Sequence, residues 1–131
     1  MKKISDKLFW VVALALGAVF VSQQLSANNG IDAKQAQAMM QQGALLLDVR
    51  QPEEFSAIHA PNAQLIPLGE LPARMQEISA YKDKPVVVIC RSGRRSAKAV
   101  ELLKEAGYSK VSNIAGGIQG WESDGLEVVR M

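Results

Sequence analysis

The stretch PVVVICRSGRRSAKAVELL, residues 85–103, holds the fold in outline. Val86 to Cys90 is the densest β-branched run in the chain, the pattern of a central strand. The period then changes. From about Ser92 or Gly93, Ala99, Leu102, Leu103 and Ala106 recur at helical spacing, and Gly107 closes the helix. A strand that runs almost directly into a helix is half of a strand–helix–strand unit. At the junction sits the only cysteine, Cys90, with Arg91, Arg94 and Arg95 in the next five residues.

The flanking sequence repeats this alternation. In NNGIDAKQAQAMMQQGALLLDVR (28–50), Asp32 is a helix N-cap with Gln35 three residues on. Ala33, Ala36, Met39 and Met40 share one helical face, and Gly43 ends the helix. Ala44 to Val49 is a continuous apolar run, as in a strand covered on both sides. Pro52 to Phe55 predicts a short helical turn, and a short strand is expected around Gln64 to Ile66. A helix is expected over ELPARMQEISAY (70–81), with Leu71, Met75 and Ile78 inward. KVSNI (110–114) predicts another strand, AGG a turn, and IQGWESDG (118–125) a short helix. Strands alternating with helices imply an α/β fold, parallel pairing and helices on both faces of the sheet. Ligands in such folds bind beyond the carboxyl ends of the strands, and Cys90 occupies that edge.

Length and composition bound the function. At 131 residues the chain fits one domain, and 48% apolar with 21% charged residues describes a globular protein. The first 27 residues differ from the rest: Lys2, Lys3 and Lys7 precede the uncharged run LFWVVALALGAVFV (8–21), and small residues follow. These are the parts of a secretory signal, with cleavage expected after Ala27 and a mature domain over 28–131. The apolar run is 14 residues, against the ~20 a spanning helix needs, although an uncleaved N-terminal membrane anchor is the alternative. Export implies a periplasmic location, and contact with the membrane only through this segment if it is retained. Without it the mature chain is formally neutral, and no basic helix face suggests a nucleic-acid partner.

One cysteine cannot form an internal disulfide, so in an oxidising compartment it is either inert or reactive by design. Between Cys90 and the helix start, several peptide N–H groups have no partner and face one small bowl. They and the helix dipole attract anions, and Gly93 lets the backbone curl. A thiol there should ionise below its usual ~8.5. Arg91, Arg94 and Arg95 add positive charge suited to an oxyanion, so Cys90 reads as nucleophile and Arg91, Ser92, Gly93, Arg94 and Arg95 as a substrate-binding loop. A buried, unreactive thiol beside a solvated arginine face is the bland alternative. No His/Cys cluster offers a metal site, and no cofactor is expected.

Three further stretches complete a pattern. LLLDVRQPEEF (45–55) contributes Asp48, Arg50, Glu54 and Phe55; AIHAPNA (57–63) contributes His59, Pro61 and Ala63; NIAGGIQGWESDGLEV (113–128) contributes Gly116, Gly117, Gly120 and Trp121. With CRSGRRS, the sequence resembles the single-domain rhodaneses, the thiosulfate sulfurtransferase family, over Ile31 to Val128. Its export signal makes it most similar to the periplasmic phage-shock type. Ile58 and Asn62 stand where the family usually has glycines, so the turn around them is expected to differ. The resemblance implies a five-stranded parallel sheet, a six-residue active loop from Cys90 to Arg95, and a ping-pong reaction. In that reaction Cys90 takes the outer sulfur of thiosulfate as a persulfide and passes it to a thiol or to cyanide. A thiol redox protein could also serve as partner.

The resemblance gives His59 a structural place in a loop. Asp48 and Arg50 read as fold-fixing groups, with Arg50 expected to pair with Glu53 or Glu54, and Trp121 reads as core. A cysteine phosphatase would need an arginine six positions after the cysteine, where this chain has Ser96. A persulfide carrier or sensing module without turnover is the remaining alternative.

Overall fold

The computed structural model describes residues 30–131. The expected signal, residues 1–27, lies outside them. The elements in chain order are α1 (Ala33–Gln41), β1 (Leu45–Asp48), α2 (Pro52–Ala57), β2 (Ile58–His59), β3 (Gln64–Leu65), α3 (Leu71–Arg74), β4 (Val86–Ile89), α4 (Arg94–Glu105), β5 (Val111–Asn113), α5 (Gly117–Ser123) and β6 (Val129–Arg130). Short 3₁₀ turns at Leu68–Glu70 and Met75–Tyr81 flank α3. Among the described residues no helix is long and apolar enough to cross a membrane.

The sheet has strand order β3-β1-β4-β5, all parallel. Its two inner strands pair Leu45 with Val86 through Asp48 with Ile89, and every residue of both is buried. Ile31 makes one further parallel bridge to Ile114, donating to Asn113 O at 2.7 Å and accepting from Ala115 N at 3.0 Å. The expected fifth strand is thus represented by a single bridged residue at the β5 edge.

Side-chain alternation sorts the core into two layers. Leu45, Leu47, Val86, Val88 and Cys90 pack with Ala99 and Leu103 of α4 and with Leu71 and Ile78. Leu46, Val87 and Ile89 pack with Ala33 and Ala36 of α1 and with Ile118 and Trp121 of α5. Helices therefore cover both faces. At the start of α1 the Asp32 carboxylate accepts from Gln35 N at 2.7 Å while the Gln35 side chain accepts from Asp32 N at 2.9 Å, completing the capping box. Gly107 ends α4 at φ +95°.

Two local readings are corrected. The single helix expected over 70–81 is one turn of α-helix followed by a 3₁₀ stretch, broken at Ile78 (φ −115°, ψ 18°). Leu71 and Ile78 still point inward, because apolar spacing specifies the buried face more tightly than the winding of the backbone. The segment around His59 is not only loop: β2 pairs antiparallel with β6, Ile58 opposite Arg130 and His59 opposite Val129. Two-residue strands are too short to show a period of two. Asn62 adopts φ +66°, a left-handed turn that asparagine tolerates better than most residues, whereas Ile58 is extended.

Candidate active site

Strand β4 ends at Ile89, and Cys90 to Gly93 forms the connection into α4. Gly93 caps the helix at φ +102°, and a Cβ there would lie 2.2 Å from the carbonyl oxygen of Ala115. Only glycine fits. The first intrahelical donor is Ala97 N, which bonds Gly93 O at 3.2 Å. The N–H groups before it are left over from the helix ladder, and those of Ser92, Gly93 and Ser96 face the sulfur. Gly93 N donates to Cys90 Sγ at 3.1 Å.

The start of α5 holds the other side of the loop. Ile118 N donates to Cys90 O at 2.8 Å and Gln119 N to Arg91 O at 3.3 Å. With its carbonyls drawn toward α5, the loop is free to turn its N–H groups to the sulfur. Gly117 makes this approach possible: at φ +58°, its Cβ would stand 2.4 Å from Arg91 O and 2.6 Å from Cys90 O. Its role is close backbone packing under the loop as much as turning.

Cys90 is 1% exposed. The sulfur is therefore at the floor of a narrow bowl, more enclosed than the residue types alone suggest, because its side chain faces the α4 side of the core. Burial raises the thiol pKa. The Ser96 hydroxyl lowers it when its proton is turned to the sulfur, the peptide N–H groups of Ser96, Gly93 and Ser92 lower it as well, and the net result lies below the ordinary thiol value.

The three arginines divide. Arg91 and Arg94 are exposed, and Arg91 borders a surface groove. Arg95 is committed: its Nη1 and Nη2 donate to Glu54 Oε1 and Oε2 at 2.6 and 2.8 Å, a two-pronged link from α4 to α2. The Arg95 side-chain bonds hold the Glu54 carboxyl at a pKa of about 2, against an ordinary 4.5. Arg95 still lies within the electrostatic reach of Cys90. It has a structural task as well, joining α4 to α2.

Arg50 pairs with neither Glu53 nor the Glu54 carboxylate. Its Nε and Nη2 donate to Asp48 Oδ1 and Oδ2 at 3.0 and 2.8 Å, and Nη2 also reaches Ile58 O at 2.7 Å. Both side chains are almost wholly buried. Two residues apart at the end of β1, they lie close enough to satisfy one another, whereas Glu54 is taken by Arg95. Losing one member of such a buried pair costs about 3–5 kcal/mol. His59 stacks on Phe55 with ring centres 3.9 Å apart, and its Nδ1 lies 2.8 Å from Phe55 O. Trp121 is buried and donates to Glu127 O at 2.8 Å.

The tertiary structure adds two residues to the loop. Ser96 Oγ is 3.3 Å from Cys90 Sγ and donates to Asn113 Oδ1 at 2.5 Å. Asn113 Nδ2 in turn donates to Gly93 O at 3.1 Å. Ser96 sits in the first turn of α4, where side chains lean back toward the helix start, so its position was open to inference. Asn113 comes from the neighbouring strand, and no local pattern marks it. A groove of about 320 Å³ opens beside Arg91, with Ala57, Ile58 and Ile118 in its wall and Glu122 at its edge. A larger cavity, about 580 Å³, lies where β1 begins, around Ala44, Leu45 and Tyr81.

A thiol of lowered pKa under peptide donors, within electrostatic reach of Arg95, is the setting of a sulfur nucleophile. Residues 32–124 match the family described as the Rhodanese-like domain. A sulfurtransferase from Allochromatium vinosum is 44% identical over 85 residues, covering 65% of this chain and 78% of that protein. The thiosulfate sulfurtransferase GlpE of Pseudomonas syringae pv. syringae is 37% identical over 93 residues, covering 71% and 86%. Among solved structures, a rhodanese with anions from E. coli superposes with TM-score 0.60 at 35% identity, covering 68% of this chain and all of that one. With the cysteine bowl at the carboxyl edge of the parallel sheet, these likenesses place the chain in the rhodanese-like domain family, whose sulfurtransferase members make sulfur transfer its general chemistry.

Proposed function

We propose that the protein is a thiosulfate sulfurtransferase that works through a Cys90 persulfide. One observation carries the reading: the sulfur, of lowered pKa, accepts a peptide hydrogen bond from Gly93 at 3.1 Å at the start of α4. The Cys90 thiolate attacks the outer sulfur of thiosulfate. A new S–S bond forms, the old one breaks, and sulfite leaves with the electron pair. The resulting Cys90–S–S⁻ has its charge on the outer sulfur, above the N–H groups left over at the start of α4. A thiolate or cyanide then attacks that sulfur, carries it off, and Cys90 returns as the thiolate.

Arg91 and Arg94 gather the doubly charged donor, and Ser92 and Gly93 supply the backbone that meets it. With Cys90 only 1% exposed, the donor has to offer its terminal sulfur end-on, a constraint thiosulfate meets and a bulky phosphate ester does not. The acceptor is a small thiol, cyanide or the thiol of a redox protein. The basic and apolar start of the chain supports export to the periplasm, with cleavage after Ala27.

Intact mass spectrometry of the exported protein tests the whole reading. Incubation with thiosulfate adds one sulfur atom to a chain beginning at Asn28, addition of thiol or cyanide removes it, and Cys90→Ser never acquires it. No gain in mass, or a gain kept by Cys90→Ser, refutes the enzyme. A persulfide that forms but is never handed on identifies a carrier instead.

A further inference from the structure

The chain of contacts from Cys90 through Ser96 to Asn113 contains one hydroxyl proton and two groups that want it. The Gly93 carbonyl can only accept, so the Asn113 atom 3.1 Å from it is the amide nitrogen. That fixes the orientation of the amide and leaves Oδ1 facing Ser96 at 2.5 Å. Oδ1 can only accept as well, so Ser96 donates its one proton there. Ser96 therefore turns a lone pair toward the sulfur 3.3 Å away. A lone pair suits a protonated thiol, which can donate to it. It does not suit a thiolate.

We propose that Asn113 is a positioning residue that withholds the Ser96 proton from Cys90 and so sets how readily the thiol ionises. For Ser96 to stabilise the thiolate, its hydroxyl has to swing to the sulfur and abandon Asn113. The peptide N–H of Gly93 is not contested in this way. Ionisation thus trades the Ser96–Asn113 hydrogen bond for one from Ser96 to the sulfur, and removing the Asn113 acceptor releases Ser96 to the sulfur. Within the sulfurtransferase reading, on which its purpose rests, this pairing tempers a nucleophile that its surroundings would otherwise ionise more fully.

The charged groups around the sulfur are Arg91 of the loop, Arg94 and Arg95 of α4, Glu54 of α2 held by Arg95, the Asp48–Arg50 pair at the end of β1, and Glu122 of α5 beside Arg91. All are unchanged and cancel in Asn113→Ala and Asn113→Leu, whereas Asn113→Asp adds a carboxylate that itself opposes ionisation. The thiolate is titrated by its ultraviolet absorbance, each protein measured against its own Cys90→Ser counterpart. This needs no reagent to enter the bowl and no sulfur donor, so it succeeds or fails independently of sulfur transfer, which is assayed separately. Asn113→Ala lowers the titration midpoint by about one pH unit, the scale of a hydrogen bond gained by a charged acceptor, or roughly tenfold more thiolate below both midpoints. Asn113→Asp keeps an acceptor for Ser96 and does not lower it. In a Ser96→Ala background, Asn113→Ala produces no shift. Asn113→Leu retains bulk and serves the same comparison where the smaller side chain lets the loop collapse, as judged by cooperative unfolding. An unchanged or raised midpoint in folded Asn113→Ala or Asn113→Leu overturns the proposal, as does a lowering that persists without the Ser96 hydroxyl.

Discussion

Gly117→Ala tests whether the active loop is held in place by close backbone packing. Gly117 has φ +58°, a conformation that costs alanine about 1–2 kcal/mol. The added methyl carbon would also meet Arg91 O at 2.4 Å and Cys90 O at 2.6 Å, where real contacts keep beyond 3.0 Å. These are backbone atoms of the loop, so no flexible side chain can give way. The loop carbonyls have to move by roughly 0.6 Å or more, loosening the Ile118 N–Cys90 O bond of 2.8 Å. Backbone strain and displacement together should reach ~2–3 kcal/mol, lowering Tm by about 10 °C in a domain of this size. Displacements approaching 1 Å at a reacting centre cost up to about 100-fold in rate; a loss of tens-fold in kcat for sulfur transfer is expected here.

Gly125→Ala is the control for that experiment, since Gly125 has φ +77° but nothing within 4 Å of an added Cβ. It bears the conformational cost alone and should keep its rate. Thermal unfolding by circular dichroism and kcat for thiosulfate measure the two effects side by side. A Gly117→Ala protein with wild-type rate and melting, or one that tracks Gly125→Ala in both, would show that the contact under the loop is unimportant.

Two other outcomes follow from the charges. Glu54 has its folded pKa depressed to about 2, so its pairing contributes stability above pH ~4.5 and loses it as pH falls through ~2. Both partners are about one-third exposed, which limits the link to ~1 kcal/mol after solvent screening. Urea unfolding should show Glu54→Gln less stable than wild type at pH 7, with the gap closing across that acidic window; a gap independent of pH argues against the pairing as its source. Arg91→Ala and Arg94→Ala should each raise KM for thiosulfate several-fold with little change in kcat, and the effect should shrink in high salt. Arg95→Ala should instead lower stability along with activity, because its guanidinium joins α4 to α2; equal kinetics and stability across all three variants would remove this division of labour.

Local sequence alone determined the alternation of helices with the strands of the main sheet, the parallel α/β class and the placement of Cys90 at the carboxyl edge, but not β2, β6 or the 3₁₀ winding over 75–81. It did so because apolar runs, helical spacing, the Asp32 cap and the closing glycines each act within a few residues. The family likeness added the loop from Cys90 to Arg95. Only the tertiary structure decided which partner each polar group found. Arg95 reaches Glu54 across 41 residues, Asn113 reaches Ser96 across 17, and β2 pairs with β6 from the far end of the chain. Arg50 pairs with the Asp48 carboxylate and Arg95 with that of Glu54. Hydrogen bonds between distant segments leave no periodic trace, since their geometry exists only once the sheet has brought the segments together. For that reason the nucleophile could be named from residues 85–103, while the groups that govern its proton could not.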